Sequence, residues 1–214
     1  MQNKKITVIS GFGQEPKVLQ NVFTNKDTIA LNYLETKNFE DLITRDLKVY
    51  DNDIVIGWSL GGQVAIRLIE KQILKPKLLI LIATPFQFVQ NDKEIGLPIN
   101  IFKQFESAML IYPNQALNYL ASLSATNDEN AREVEINMVN YITPNLNSWL
   151  QELKTFDCAN VNFSKFPETI CIWGDGDVVV DNSQANYFKE KIHNLEIKII
   201  KNAGHAPHFS HKNV

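Results

Sequence analysis

The stretch that decides the fold is "DIVIGWSLGGQVAIRLIE", residues 53–70. A short β-branched, apolar run leads into Gly57-Trp58-Ser59-Leu60-Gly61-Gly62, and helical spacing of apolar residues follows over 60–72. A serine set between glycines where a strand turns into a helix has its hydroxyl pushed out at the sheet edge, with a helix N-terminus behind it. That N-terminus offers N–H groups and a dipole that favour developing negative charge. The segment fits G-x-S-x-G with the required strand before and helix after. A phosphate-binding turn is the competing reading, but the Lys-Ser/Thr pair of a P-loop is missing.

Working outward, residues 6–10, 28–33, 53–57, 77–83, 169–174 and 196–201 read as strands, most of them continuously apolar. Helical patterns fall between them, among them 38–49 with Asn38 as N-cap and one near 181–193. Continuous apolar strands separated by helices imply a mostly parallel sheet covered on both faces, an α/β architecture. The rhythm breaks from 86 to 160. Four helical segments stand there instead, at 99–112, 114–125, 127–142 and 145–156, set off by Pro98, Pro113 and Pro144. The expected organisation is a core of residues 1–85 and 161–214 with a helical lid, 86–160, inserted over the carboxyl edge of the sheet, where open α/β sheets bind ligands.

The 214 residues suit one domain of this kind; 44% are hydrophobic and 21% charged, the balance of a soluble globular chain. A net charge of −3 gives no electrostatic reason to expect nucleic acid or an anionic membrane. No apolar run reaches the ~18 residues of a membrane span. The start runs straight into a strand rather than a signal peptide, and Cys158 and Cys171 make no disulfide framework, so a cytoplasmic monomer is expected.

A serine needs a base, and the base needs an acid to orient it. After the strand at 169–174 comes "GDGDVVVD"; after 196–201 comes "NAGHAPHFSH". Asp175, Asp177 and Asp181 compete as the acid. The spacing Gly174-x-x-Asp177 before an apolar run favours Asp177, leaving Asp175 to shape the turn and Asp181 to cap the next helix. His205, directly after a strand, is the expected base. His205, His208 and His211 also space as H-x-x-H-x-x-H, but Pro207 opposes a regular helix from 205 and no acidic or cysteine ligand stands near, so no metal is expected. His193 reads as a solvated helix end. The loop Ser10-Gly11-Phe12-Gly13 can approach the serine, making the Phe12 and Leu60 N–H groups the natural pair of oxyanion donors. Aromatic and aliphatic residues of the lid (Phe86, Phe88, Phe102, Phe105, Leu110, Tyr112) suit an acyl chain, or else the lid's own core.

"GWSLGGQVA", "GDGDVVV", "AGHAPHFSH" and a weaker "LQELKTFD" resemble the α/β-hydrolase superfamily, and within it the pimeloyl-[acyl-carrier protein] methyl ester esterases of biotin synthesis. The resemblance implies Ser59 as nucleophile, His205 as base and Asp177 as its orienter. Trp58 and Leu60 would flank the nucleophile. Trp58 and, from the reading of the lid, Phe86, Phe88 and Phe105 are expected against the substrate. It implies hydrolysis of a methyl ester borne by an acyl-carrier protein, activity on simple short-chain esters, and no cofactor. Three features depart from that pattern. Ser10 stands where a histidine is usual, and the chain ends nine residues after His205, so the following helix is missing or cut short. The resemblance also implies basic lid residues that dock an acidic carrier, whereas residues 91–150 hold three Lys or Arg (Lys93, Lys103 and Arg132) against seven Asp or Glu.

Overall fold

The computed structural model describes residues 4–23, 27–45, 53–90 and 95–211. Six strands form one sheet: β1 (Ile6–Ile9), β2 (Thr28–Ala30), β3 (Ile54–Trp58), β4 (Leu78–Ile82), β5 (Glu168–Gly174) and β6 (Leu195–Ile200). Their order is β2-β1-β3-β4-β5-β6, and every pairing is parallel. The inner strands β1, β3 and β4 are largely apolar because both faces are covered; Val8, Ile9, Val55, Leu79, Leu81 and Ile82 are fully enclosed, whereas the edge strand β6 carries Glu196 and Lys198 and buries none of its residues fully. The chain moves from β1 to β2 in one direction, then from β3 outward in the other. The carboxyl ends of β1 and β3 therefore flank the switch point, where such sheets form a crevice.

The connecting helices are α1 (Lys17–Val22), α2 (Phe39–Thr44) and α3 (Leu60–Glu70). Asn38 caps α2 by accepting from the Asp41 N–H at 2.9 Å. That helix ends earlier than its sequence pattern suggests, at Thr44, and residues 46–49 of the expected span lie outside the described residues. The second strand is also shorter than read. Beyond Ala30 the chain leaves the sheet so that Tyr33 can pack edge-on against Trp149, ring centroids 4.7 Å apart.

Between β4 and β5 the chain forms α4 (Ile99–Ile111), α5 (Pro113–Ala125), α6 (Ala131–Asn137) and α7 (Leu146–Thr155). The third of these falls short of the 127–142 pattern for a local reason. Asn127 takes a left-handed backbone (φ 61°), and the Asp128 carboxylate accepts the Asn130 N–H at 2.8 Å, which makes a turn where helix was expected. Helix α7 seats the block on the sheet helices. Trp149 donates to the Thr36 carbonyl at 2.8 Å, and Glu152 meets Arg67 of α3 at 2.6 Å while that guanidinium lies 3.7 Å from the Phe39 ring centroid. After β5, Asp181 caps a 3₁₀ turn that runs into α8 (Ala185–Lys191), and exposed His193 lies in the turn beyond it. Past β6 stands one helical turn, α9 (Pro207–Ser210), which begins at its proline as an N1 residue should.

Candidate active site

Ser59 joins β3 to α3 with φ 53° and ψ −124°, a backbone that an L-residue holds only when its surroundings insist. The surroundings are glycines. A Cβ on Gly57 would come 2.5 Å from the Gly62 Cα, and one on Gly61 would come 2.1 Å from the Ile9 carbonyl oxygen. Only hydrogen at these points lets the helix start fold against the end of β1. That contact sets the α3 N-terminus beside the loop after β1. Ser10 braces this loop by donating to the Pro16 and Glu15 carbonyls at 3.1 and 3.3 Å, in the place where the resemblance puts a histidine. Among the described residues the amides of Phe12 and Leu60 meet no hydrogen-bond acceptor. Both residues adjoin the serine's turn in the fold: Leu60 follows it in sequence, and Phe12 lies in the loop after β1 and lines the same cavity.

Of the three aspartates, the structure brings Asp177 to His205. Its Oδ2 lies 2.8 Å from His205 Nδ1, and its Oδ1 accepts the Val179 and Val180 N–H groups at 2.8 and 2.9 Å. Both side chains are enclosed. Asp175 is exposed, and Asp181 is occupied by the Ser183 N–H. The His205 backbone is held at both ends: its N–H donates to the Ser124 carbonyl at 2.9 Å, and its own carbonyl accepts the Trp58 indole N–H at 3.1 Å. With Nδ1 engaged by Asp177, Nε2 is the nitrogen left for the serine. Among the described residues Ser59 and His205 share no hydrogen bond within 3.5 Å, but both open onto the same cavity.

That cavity has a volume of about 400 Å³ and, among the described residues, no Asp, Glu, Lys or Arg in its lining. It lies between the switch point and the inserted helices. Phe12 meets Phe105 edge-on across it, ring centroids 6.3 Å apart. Trp58, Phe88 and Phe105 all line it, with Trp58 itself almost wholly enclosed. Phe86 does not. Its ring packs the other way, 5.0 Å from Phe188 and 5.6 Å from Tyr187, so its expected contact with substrate is corrected to a place in the core. Phe102 is likewise core and Leu110 faces solvent. The sequence reading overlooked the face of α5: Ala116, Leu120 and Leu123 recur at helical spacing and line the cavity together.

The remaining histidines go elsewhere. His208 packs edge-on against Trp58, ring centroids 4.8 Å apart, and burial with the neighbouring His205 pushes its pKa down to about 3. His211 bonds through Nδ1 to the Ser210 hydroxyl at 2.7 Å and reaches Glu129. Among the described residues no three His, Cys, Asp or Glu side chains group as metal ligands. Burial raises the Cys158 and Cys171 thiols well above their ordinary range, which keeps both unreactive.

Known proteins share this fold. The bromoperoxidase of Bacillus anthracis superposes with a TM-score of 0.79 at 15% identity, over 99% of this chain and 88% of that one. An esterase from Exiguobacterium antarcticum gives 0.74 at 14% identity, over 97% of this chain and 87% of that one. This chain has the α/β-hydrolase fold. No protein-family model matches it. Its sequence is similar to the biotin biosynthesis bifunctional protein BioHC of Teredinibacter turnerae, 28% identical over 75% of this chain but only 31% of that protein. It is 25% identical to the pimeloyl-[acyl-carrier protein] methyl ester esterase of Nitrosospira multiformis and 29% to that of Nitrosomonas europaea. Those matches cover 80% and 73% of this chain, and 69% and 65% of the two esterases.

Proposed function

We propose that this α/β-hydrolase is a serine carboxylesterase in which Ser59, His205 and Asp177 act together. One observation carries the reading: a strained serine and an Asp-oriented histidine open onto one largely apolar cavity. His205 Nε2 takes the Ser59 proton as Oγ attacks the ester carbonyl, and the Phe12 and Leu60 N–H groups receive the oxyanion. The alcohol leaves with the proton from His205. A water then attacks the acyl-enzyme by the same route, releasing the acid and restoring Ser59.

For the substrate we propose a methyl ester of a pimeloyl group carried on an acyl-carrier protein. The esterases of the relatives support this, and so does the apolar cavity, which suits a run of methylenes. The acidic inserted helices favour a second reading, a carboxylesterase for small free acyl esters. We take residues 86–160 as the lid over the site. The proposed enzyme works as a cytoplasmic monomer; no helix among the described residues is long and apolar enough to cross a membrane. The test compares kcat/KM for the carrier-borne methyl ester with that for the same acyl group as a free methyl ester, against Ser59→Ala as blank. A preference for the carrier-borne ester supports the first reading. Equal rates favour the second, and activity surviving in Ser59→Ala removes both.

A further inference from the structure

His205 sits in a loop that leaves β6, the outermost strand, which has a sheet neighbour on one side only. Yet Ala203, Gly204 and His205 are all buried. The enclosure comes from the turn between α5 and α6. Besides the Ser124 carbonyl on the His205 N–H, the Glu129 N–H donates to the Asn202 carbonyl at 2.8 Å. The Asn127 amide donates to the carbonyl of Gly176, the residue before Asp177, at 3.1 Å. The fit leaves no slack: a Cβ on Gly204 would lie 2.4 Å from the Ser124 carbonyl oxygen, and one on Gly176 would lie 2.6 Å from the Asn127 Cβ.

Asp128 is central to this seam. It is 8% exposed and its carboxylate takes three hydrogen bonds. Oδ1 accepts the Asn130 N–H at 2.8 Å, the bond that shapes the turn. Oδ2 accepts the Gly204 N–H at 3.0 Å and the Ser210 hydroxyl at 2.7 Å, which grips the chain on both sides of His205. Turn formation needs only the first bond. The second oxygen is spent on the histidine loop, and among the described residues no cation pairs with this buried carboxylate, which makes it costly to keep.

We infer that Asp128 is a positioning residue for His205, so that the inserted helices form part of the mount of the catalytic base. The inference rests on the proposed roles of Ser59, His205 and Asp177. A base displaced by about 1 Å loses on the order of 100-fold in rate, so a slackened loop is read in kcat rather than in KM.

The experiment uses p-nitrophenyl butyrate, with functional sites counted by the burst of p-nitrophenol so that misfolded enzyme drops out of the rate. The parent and Ser59→Ala are measured first. A parent with no turnover above Ser59→Ala overturns the triad and this inference with it, before any Asp128 variant is made. In an active parent, Asp128→Asn keeps the shape but sets an amide donor against one of the three donors, and Asp128→Ala removes all three bonds. The expected result is kcat per titrated site falling at least about tenfold in Asp128→Ala and less in Asp128→Asn, with KM within about twofold. Ser210→Ala removes one of the three Asp128 bonds, together with the Ser210 contact to His211, and serves if Asp128→Ala does not fold; its kcat per site is expected to fall about two- to fivefold. If Asp128→Asn and Ser210→Ala both keep the parent kcat per titrated site and lose only thermal stability, Asp128 supports the fold alone and the inference is wrong.

Discussion

Asp177 meets His205 through one oxygen at 2.8 Å and spends the other on two backbone N–H groups, so the carboxylate cannot turn without breaking three hydrogen bonds. Its task under the proposed mechanism is to hold the imidazole tautomer and to face the imidazolium that forms. Asp177→Asn presents an amide that leaves the wrong proton on the ring. We expect a loss of about 10⁴ in kcat with little change in KM. Asp175→Asn, at an exposed turn, should leave kcat within about twofold. Reversed magnitudes would transfer the role to the other aspartate.

Ser59 couples chemistry to strain. Ser59→Ala should lower kcat by on the order of 10⁶. Alanine at φ 53° keeps the strain, whereas glycine relieves it. Ser59→Gly, equally inactive, is therefore expected to be more stable than Ser59→Ala by ~1 kcal/mol, measured by chemical denaturation. Equal midpoints would mean that the elbow stores no usable strain.

The parts legible in the sequence are those whose cause is local. Gly57, Gly61 and Gly62 announce a strand turning sharply into a helix, and continuous apolar runs announce parallel strands. Asp177 and His205 each stand just past such a strand. What the sequence hides is direction and distant company. Phe86 and Phe88 are two residues apart in an irregular segment, and nothing nearby says that one faces Phe188 and the other the cavity. Asp128 reads as an ordinary turn former; the Gly204 amide that it binds is 76 residues away.

A largely apolar cavity of about 400 Å³ should reward added methylenes. Each buried CH₂ contributes ~0.8 kcal/mol, roughly fourfold in kcat/KM, until the cavity is full. A series of p-nitrophenyl esters from acetate upward is expected to climb and then level off. Ala116→Leu, which thickens the wall on α5, should move the levelling point to shorter acyl chains. A flat series would leave the acyl chain outside this cavity.

His208 ties stability to pH. Its ring nitrogens are buried without a partner among the described residues, and its folded pKa is about 3 against an ordinary 6.5. Between those values the unfolded chain binds the extra proton, so stability holds above pH 6.5 and drains away as pH falls toward 3. At pH 5 the cost is ~2 kcal/mol. His208→Leu should flatten the slope of stability between pH 6.5 and 4, followed by urea unfolding. An unchanged slope would place the acid sensitivity in other groups.

The charge on the inserted helices separates the two substrate readings. Lys103 on α4 and Arg132 on α6 are both exposed, while Lys93 lies outside the described residues. If an acidic carrier protein docks there, these cations must meet its carboxylates across water, and that attraction weakens as the Debye length shrinks below ~10 Å above 0.1 M salt. A small neutral ester carries no charge for such steering to act on. Raising salt from about 0.05 to 0.5 M should therefore lower kcat/KM severalfold for the carrier-borne ester and leave the small ester nearly unchanged. Lys103→Glu and Arg132→Glu should each reproduce that selective loss at low salt, through association and not through kcat. Parallel salt curves for the two substrates, with neither reversal affecting the carrier-borne reaction, would leave these two cations without a role in docking and favour the small-ester carboxylesterase.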